Sequence, residues 1–402
     1  MARLKSTKTE SPRAVRSQTD RIDLKRFEEP IYVTRPYLPP IEEFVAGLQG
    51  IWDSRWLTNN GPVLQQFTGQ LSSYLGTDNV CLFNNGTLAL QLGLQGMGIS
   101  GEVITTPFTF VATTHTLYWN KLRPVFVDIE PDYYTLDPEK VEAAITPRTS
   151  AILAVHVFGY PCRLKELADI ARRHDLRLIY DAAHAFGVEI DGRSLAHYGD
   201  MSMFSFHATK LYHSIEGGML TFRDGKLKQT FDYLKNFGFK NEVKVVMPGT
   251  NAKMNEMQAL MGMLVLQHLD ELIEKGRAIE AVYRERLADV PGIRIPPPQP
   301  SSVRYNYGYM PVEVDETRFG MNRDRLYREL KKLNIHARRY FYPLVPDFAC
   351  YQNVRTRDPL VVARRVARTI LTLPTYHAIS EETVERICRY IGELRSSAGS
   401  RA

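Results

Sequence analysis

The sequence contains no apolar run near the roughly 18 residues that a membrane-spanning helix needs. Residues 1–20, MARLKSTKTESPRAVRSQTD, are polar and lack the apolar core of a signal peptide. The chain has only 4 cysteines, which are scattered and show no CxxC or Cys/His spacing of a zinc site. These absences argue against membrane, secreted and disulfide-rich classes, and we expect a cytoplasmic protein that binds no metal.

The charge of the chain has only a small basic bias. Its 51 basic and 45 acidic residues give a formal net charge of +6. The basic residues are dispersed, and neither end of the chain has a helix-turn-helix pattern or another nucleic-acid-binding motif. The sequence therefore predicts no nucleic-acid partner, and a small anionic substrate accounts equally well for the positive excess.

The pattern of apolar runs divides the chain into four parts. From about residue 79, short apolar strands alternate with helices, which is typical of a mostly parallel sheet covered on both faces. A long Met-rich helix follows, with a break expected near Gly276. The end of the chain reads strand, helix, strand, helix, with IHARRYFYPL (335–344) as its second strand. The predicted parts are a flexible tail (1–30), a large domain (31–255), a linking helix (256–290) and a small α+β domain (291–402).

Two chemically active side chains follow neighbouring apolar strands. Asp181 closes the run RLIYD, and Lys210 follows MSMFS after a separation of 210 − 181 = 29 residues. In a parallel sheet, ligands collect beyond the carboxyl ends of the strands. An ion pair is the simplest alternative, but the small or hydroxylic neighbours Ser205, Gly217 and Gly218 leave room for a ligand.

A possible phosphate site lies further upstream. The run NNGTLAL places Gly86 and Thr87 at the start of a predicted helix, whose first turn presents free N–H donors and a positive dipole end. Thr87 as a simple helix cap is the alternative. Pyridoxal phosphate is one ligand that uses all of these groups, because it has a phosphate, an aldehyde that a lysine captures and a pyridine nitrogen that a carboxylate keeps protonated.

A series of segments along the chain resembles one enzyme family. The segments are VTRPYLPP, NNGTLAL, TTPFTF, VFVDI, HVFGYP, DAAHAFG, FSFHATK, EGG, GTNAKMNEMQA and the basic helix around 275–287. In order and spacing, from about residue 30 to 345, they are similar to the DegT/DnrJ/EryC/StrS nucleotide-sugar aminotransferases, which are fold-type-I enzymes of pyridoxal phosphate. The resemblance implies an α/β large domain with a mostly parallel sheet of seven strands, followed by a small C-terminal α+β domain.

The resemblance also implies roles for three residues in catalysis. Lys210 would bind the cofactor aldehyde and, once released, move a proton between the substrate and the cofactor. Asp181 would keep the pyridine nitrogen protonated. His184, where the family often has glutamine, would contact the cofactor ring or its hydroxyl, and a packed core histidine is the alternative.

Further residues are implied in cofactor binding. Phe108 would stack on the ring, while Gly86, Thr87 and Ser205 would hold the phosphate. Asn251, in GTNAKM, matches an asparagine that reaches the phosphate from the other subunit of a homodimer. If that holds, a monomer is inactive.

The lysine at 210 favours transamination, because related sugar dehydratases carry histidine at that position. The implied donor is L-glutamate, which leaves as 2-oxoglutarate and gives pyridoxamine phosphate; the amino group then passes to a keto sugar on a nucleoside diphosphate. The motif SFHATK followed by SIEGG resembles members that aminate C4, so dTDP-4-keto-6-deoxyglucose is the expected substrate. A nucleotide-sugar 3-aminotransferase, a sugar dehydratase or deaminase of the same cofactor, and a non-enzymatic regulator are the alternatives.

The diphosphate of such a substrate needs cations. The segment HARRYFYPL offers Arg338 and Arg339, together with Tyr340 and Tyr342 for stacking or hydroxyl contacts. We therefore expect this segment to bind the substrate. A solvated basic strand edge is the alternative.

Overall fold

The computed structural model describes residues 24–354, 356 and 358–399. The α-helices of this part are α1 (Ile41–Ser54), α2 (Pro62–Leu75), α3 (Gly86–Gly96), α4 (Ala112–Trp119), α5 (Pro138–Ala143), α6 (Leu164–Arg173), α7 (Leu227–Leu234), α8 (Glu256–Gln267), α9 (Leu269–Leu287), α10 (Glu316–Phe319), α11 (Arg323–Lys332), α12 (Val361–Thr369) and α13 (Glu381–Gly399). The strands are β1 (Ile31–Tyr32), β2 (Val80–Phe83), β3 (Glu102–Thr105), β4 (Arg123–Phe126), β5 (Thr149–Val155), β6 (Arg177–Asp181), β7 (Glu189–Ile190), β8 (Arg193–Ser194), β9 (Met201–Ser205), β10 (Gly218–Phe222), β11 (Phe239–Asn241), β12 (Lys244–Val245), β13 (Ile293–Arg294), β14 (Val303–Arg304), β15 (Met310–Val314), β16 (Ile335–His336) and β17 (Ile370–Leu373). None of the helices in these residues has the length and hydropathy that a bilayer crossing requires.

Seven strands form the large sheet, in the order β2-β10-β9-β6-β5-β3-β4. All neighbours are parallel except β10, which runs antiparallel to β2 and to β9. Most of the strands read as apolar runs such as VCLF and are buried except at a few end residues, because helices cover both faces. The mostly parallel sheet of seven strands predicted from the sequence is confirmed.

A smaller sheet, β13-β15-β17, lies in the C-terminal part and is antiparallel. Its hydrophobic cluster is separate from those of the large sheet and includes residues of α9, α11 and α13. A third sheet joins the two parts, because β14 pairs with β7. The domain boundaries at 255 and 290 remain a prediction.

The start of the described chain packs on the C-terminal part. Phe27 is buried, its N–H donates to the carbonyl of Leu333 at 3.1 Å, and β1 pairs in parallel with β16. The sequence predicted a flexible tail over residues 1–30. Within 24–30, the structure instead shows Phe27 packed on the C-terminal part. The other residues of that tail, 1–23, lie outside the described part of the chain.

The linking helix is divided at a different residue from the one predicted. The break lies at His268, between α8 and α9, whereas Gly276 lies within α9. A Cβ atom at Gly276 would stand 2.9 Å from Cβ of Tyr307, so glycine there permits close packing. Helix α8 begins with a capping box between Asn255 and Gln258.

The segment IHARRYFYPL is not the strand that its apolar pattern indicates. Only Ile335 and His336 form a strand, β16, and Arg338 adds an isolated bridge to Thr372. The strand that completes the small sheet is β17, which follows α12 directly, and this helix–strand pair was not predicted. The rest of the segment, including Tyr340, turns toward the large sheet.

Candidate active site

A cavity of about 260 Å³ lies at the carboxyl ends of β6 and β9. It is bounded by residues of the large sheet, by the first turn of α3 and by three aromatic residues of the C-terminal part. Its wall includes Asn85, Gly86, Thr87, Thr109, Phe110, Thr113, Asp181, His184, Ser205, His207, Lys210, Glu216, Tyr309, Tyr340 and Phe341. The cavity therefore lies where a doubly covered parallel sheet binds its ligands.

Asp181 is the last residue of β6 and is buried. Its Oδ2 accepts a hydrogen bond from Thr113 Oγ1 at 2.7 Å, and its Oδ1 accepts one from the N–H of Ala183 at 3.1 Å. Burial raises the pKa of Asp181, and these two hydrogen bonds and Lys210 oppose the rise. Within the described residues, no lysine, arginine or histidine lies within 4.0 Å of its carboxylate. Asp181 is thus a buried acid whose hydrogen-bond donors are neutral. A cationic ligand beside it would stabilise the charged carboxylate.

Lys210 lies in the turn that follows β9 and is half-buried. Burial lowers its pKa to about 8, although the nearby Asp181 and Tyr340 raise it. Its Nζ donates to the hydroxyl of Tyr309 at 3.2 Å. The predicted alternative of a close Asp181–Lys210 ion pair does not occur between these two described residues. Near neutral pH the lysine therefore has an appreciable fraction of unprotonated, nucleophilic amine.

His184 lies on the cavity wall three residues after Asp181. Its Nδ1 accepts a hydrogen bond from the N–H of Phe158 at 3.1 Å. Burial lowers its pKa well below the usual value, and Lys210 adds to this effect. In the neutral ring Nε2 therefore carries the proton, so His184 can donate a hydrogen bond to a ligand oxygen.

The first turn of α3 forms one end of the cavity. The side chain of Asn85, not Thr87, caps this helix by accepting from the N–H of Leu88 at 2.8 Å. A Cβ atom at Gly86 would lie 3.1 Å from Cβ of Ser205, so glycine lets the helix start approach the end of β9. The N–H groups of Gly86 and Thr87 have no partner in the helical pattern and are available to an anion.

The structure does not place Phe108 in the cavity wall. Phe108 is fully buried in edge-to-face contact with Tyr134, Phe158 and Phe341. Phe110 instead lines the cavity and is 60% exposed. The loop after β3 turns the first aromatic side chain into the core, so Phe110 is better placed than Phe108 to stack on a ligand ring, and the stacking role stays a prediction.

The predicted substrate residues separate into two groups. Tyr340 lines the cavity, whereas Arg338 is exposed outside its wall. Arg339 pairs with Asp324 at 3.0 Å and lies over the exposed ring of Tyr342 at 5.3 Å, also outside the wall. The substrate contacts expected from Arg339 and Tyr342 therefore remain a prediction, since neither residue lines the cavity.

Asn251 is exposed and does not line the cavity of its own chain. Its Oδ1 accepts from Nζ of Lys253 at 2.6 Å. This position agrees with a role outside its own site, and the predicted role toward a partner subunit remains a prediction.

Comparisons with known proteins identify the family. A model of the DegT/DnrJ/EryC1/StrS aminotransferase family matches residues 40–392. The chain belongs to this family. The dTDP-4-amino-4,6-dideoxy-D-glucose transaminase of Shigella dysenteriae is 45% identical over 368 residues, which are 92% of this chain and 100% of the relative. A transaminase of the same name from Escherichia coli is 44% identical over 369 residues, 90% of this chain and 98% of the relative.

A solved structure of DesI with its TDP-sugar product has a TM-score of 0.88 and 38% sequence identity, and the match covers 94% of this chain and 97% of DesI. The family resemblance and the fold class predicted from the sequence are thus confirmed. As a member of the DegT/DnrJ/EryC1/StrS family, the protein is an aminotransferase.

The cavity of this family member suits pyridoxal phosphate. The start of α3 can hold its phosphate, Lys210 can bind its aldehyde, and the carboxylate of Asp181 matches a protonated pyridine nitrogen. Sequence reasoning missed Thr113, which orients that carboxylate, and Tyr309, which contacts Lys210. Thr113 could have been found from its place in the helix after TTPFTF, but Tyr309 lies 99 residues from Lys210 and leaves no local signal.

Proposed function

We propose that the protein is a pyridoxal phosphate-dependent aminotransferase that converts dTDP-4-keto-6-deoxyglucose into dTDP-4-amino-4,6-dideoxyglucose. L-Glutamate is the proposed amino donor and 2-oxoglutarate the second product. The observation that carries the proposal is a buried carboxylate, Asp181, which shares one cavity with Lys210 without pairing with it. The names of the relatives and of DesI support a nucleotide-linked 4-amino sugar.

The bound cofactor would supply a carbonyl carbon that exchanges amino groups and a ring that withdraws electrons. Asp181 would hold the proton on the pyridine nitrogen, because a buried carboxylate favours a cationic partner. Lys210 would bind the cofactor until the substrate amine displaces it. Its free Nζ would then carry a proton between the substrate and the cofactor, for which its lowered pKa is suited. His184 would orient the ring through its Nε2–H, and the start of α3 would bind the phosphate.

A panel of nucleotide-linked 3-keto and 4-keto sugars tests the substrate. We expect amino-sugar formation with glutamate and the dTDP-linked 4-keto sugar, without any reductant. Product from 3-keto sugars alone would contradict the C4 assignment. Absence of product with every sugar of the panel would favour the alternative of a non-enzymatic regulator.

The visible spectrum tests the lysine. Lys210→Ala should lose the absorption band of the covalently held cofactor, and retention of the band would assign the bond to another lysine. Lys235→Ala is the matched control, since Lys235 is also largely buried but pairs with Asp232 at 2.8 Å. We expect that control to keep the band.

We propose that Arg338 contributes to binding of the substrate diphosphate, since it lies two residues from Tyr340 of the cavity wall. Arg338→Ala should raise the KM for the nucleotide sugar more than it lowers kcat. Arg339→Ala removes the contact with Asp324 and should mainly lower thermal stability. Equal kinetics for wild type and Arg338→Ala would remove Arg338 from the site.

We also propose a homodimer with shared active sites. Among the described residues that line the cavity, Lys210 is the single lysine or arginine, yet the proposed ligands carry a phosphate and a diphosphate. The chain also exposes Trp52 on α1, Trp119 on α4 and, at 92%, Val243 between β11 and β12. Large exposed apolar side chains of this kind are typical of subunit interfaces.

Mixed dimers test the shared site. Lys210→Ala and Asn251→Ala chains should each be inactive alone if the partner subunit's Asn251 serves the phosphate. Refolding them together in equal amounts should restore about one quarter of the sites, because one site of each mixed dimer has both native residues. No recovery on mixing would contradict shared sites.

A further inference from the structure

The nearest described hydrogen-bond partner of Lys210 Nζ is the hydroxyl of Tyr309, at 3.2 Å. Tyr309 is buried and belongs to the cavity wall. Its ring centroid lies 5.9 Å from Nζ and 4.5 Å from the ring of His184. The hydroxyl is thus held between the lysine and the residues that surround the cofactor site.

The segment before β15 fixes the position of this hydroxyl. Tyr305 donates its hydroxyl hydrogen to the carbonyl of Phe158 at 2.9 Å. The side-chain N–H₂ of Asn306 donates to the carbonyls of His184 at 2.8 Å and Phe186 at 3.0 Å. Three hydrogen bonds therefore attach residues 305–309 to the loops that follow β5 and β6, and Tyr309 has little freedom to move away.

A tyrosine hydroxyl can both accept and donate a hydrogen bond. It accepts from the lysine when Nζ is an ammonium, and it can donate to Nζ when the amine is neutral. Burial raises the pKa of Tyr309, so the hydroxyl keeps its proton across the working pH range. The same contact therefore persists in either charge state of Lys210.

We propose that Tyr309 is a positioning residue for Lys210: its hydroxyl holds the free amine toward the cavity during the part of the reaction in which the lysine is not bonded to the cofactor. This inference rests on the proposed function. It assigns to the C-terminal part of the chain the positioning of the lysine that carries out the proton transfer.

The charges around Nζ decide the expected effect of removing the hydroxyl. The titratable groups near Lys210 are Asp181, His184, Tyr309 and Tyr340, with His207 and Glu216 also on the cavity wall. A hydrogen bond to an ammonium is stronger than one to a neutral amine. Loss of the hydroxyl therefore removes more stabilisation from the charged form, and the pKa of Lys210 should fall.

Two measurements on Tyr309→Phe test the proposal. In the full-length, cofactor-free chain, the pH dependence of Lys210 acetylation by acetic anhydride is followed by mass spectrometry, and the midpoint should move below the wild-type value. In the loaded enzyme, kcat should fall about tenfold while both KM values change less than about twofold. Tyr309→His, which keeps a hydrogen-bonding ring, should recover part of kcat.

Tyr283→Phe is the matched control, because Tyr283 is a buried tyrosine whose hydroxyl donates to the carbonyl of Pro374 at 2.9 Å. It should lower thermal stability without moving the acetylation midpoint. An unchanged midpoint or an unchanged kcat in Tyr309→Phe would overturn the proposal. A shifted midpoint in a protein that aminates no sugar would support the Tyr309 contact and overturn the proposed function.

Discussion

At the scale of single residues, the sequence located Asp181 and Lys210 because both follow apolar strands, and such strand ends converge in a parallel sheet. It assigned the stacking role to Phe108, whereas Phe110 lines the cavity. Both lie in the same loop, and the choice depends on aromatic partners such as Phe158 and Phe341, which lie far along the chain. Packing against distant residues is not visible in local spacing.

Two substitutions distinguish the role of Phe110 in cofactor binding from the role of Phe108 in stability. Phe110→Ala should weaken cofactor binding, since this side chain lines the cavity, and should change stability little because it is largely exposed. Phe108→Ala should instead lower the free energy of unfolding by about 3–5 kcal/mol, because it removes a fully buried ring. Cofactor titration and chemical denaturation of both variants measure the difference, and the reverse pattern would restore Phe108 as the stacking residue.

Lys210 should reduce the stability of the cofactor-free fold. Its pKa falls from 10.5 to about 8 on folding, so below pH 8 an ammonium remains in an unfavourable site, and this cost declines as pH rises toward the unfolded value. Lys210→Met should therefore raise the melting temperature at pH 7, with a smaller gain at pH 10. Lys235→Met, which removes an ion pair with Asp232, should lower it. A gain in melting temperature from Lys210→Met that is larger at pH 10 than at pH 7 would contradict this pH dependence.

At the scale of elements, the apolar runs of the large sheet predicted its strands. A strand that is covered on both faces is mostly apolar, so it can be recognised from composition. The pair α12 and β17 was missed because VVARRVART passes into ILTL without a glycine or proline between them. IHARRYFYPL has the composition of a strand, but after β16 it turns to the cavity and to a single bridge at Thr372. Composition alone does not give the pairing partner.

Helix α12 is capped from the other part of the molecule. The buried carboxylate of Asp128, which lies two residues after β4, accepts from the N–H groups of Val362 and Ala363, both at 2.8 Å. Asp128→Ala should cost about 2 kcal/mol of unfolding free energy, because one buried and one half-buried donor at the start of α12 lose their acceptor. Asp137→Ala, at the exposed cap of α5, should cost less. Equal losses in denaturation would show that the cap between the two parts adds nothing.

At the scale of the whole molecule, a buried carboxylate joins the small sheet to the connection between β4 and α5. Glu313 on β15 accepts from the hydroxyl of Tyr134 at 3.0 Å, and it pairs with Arg294 and Arg365. Tyr134 in turn packs against Phe108 and so against the residues behind the cavity. Side chains separated widely in sequence thus fix how the two parts meet.

Glu313→Gln should lower the free energy of unfolding by about 2–3 kcal/mol, since the arginines lose a buried partner but keep access to water. The kcat should also fall, because Tyr309 directly precedes β15, the strand that carries Glu313. Glu329→Gln, which removes an exposed pair with Lys332, is the control and should change stability by less than about 1 kcal/mol. Unfolding and turnover measured together test the connection, and loss of stability with full turnover would disprove it.

The pairing of β1 with β16 has a consequence for biosynthesis. Ile31 pairs with Ile335, so 335 − 31 = 304 residues must be translated before the first strand finds its partner. At about 5–20 residues per second, that takes roughly 15–60 s. During this time the apolar side chains around Phe27 have no completed core to enter. We therefore expect the nascent chain to depend on ribosome-associated chaperones until the last third of the polypeptide has emerged.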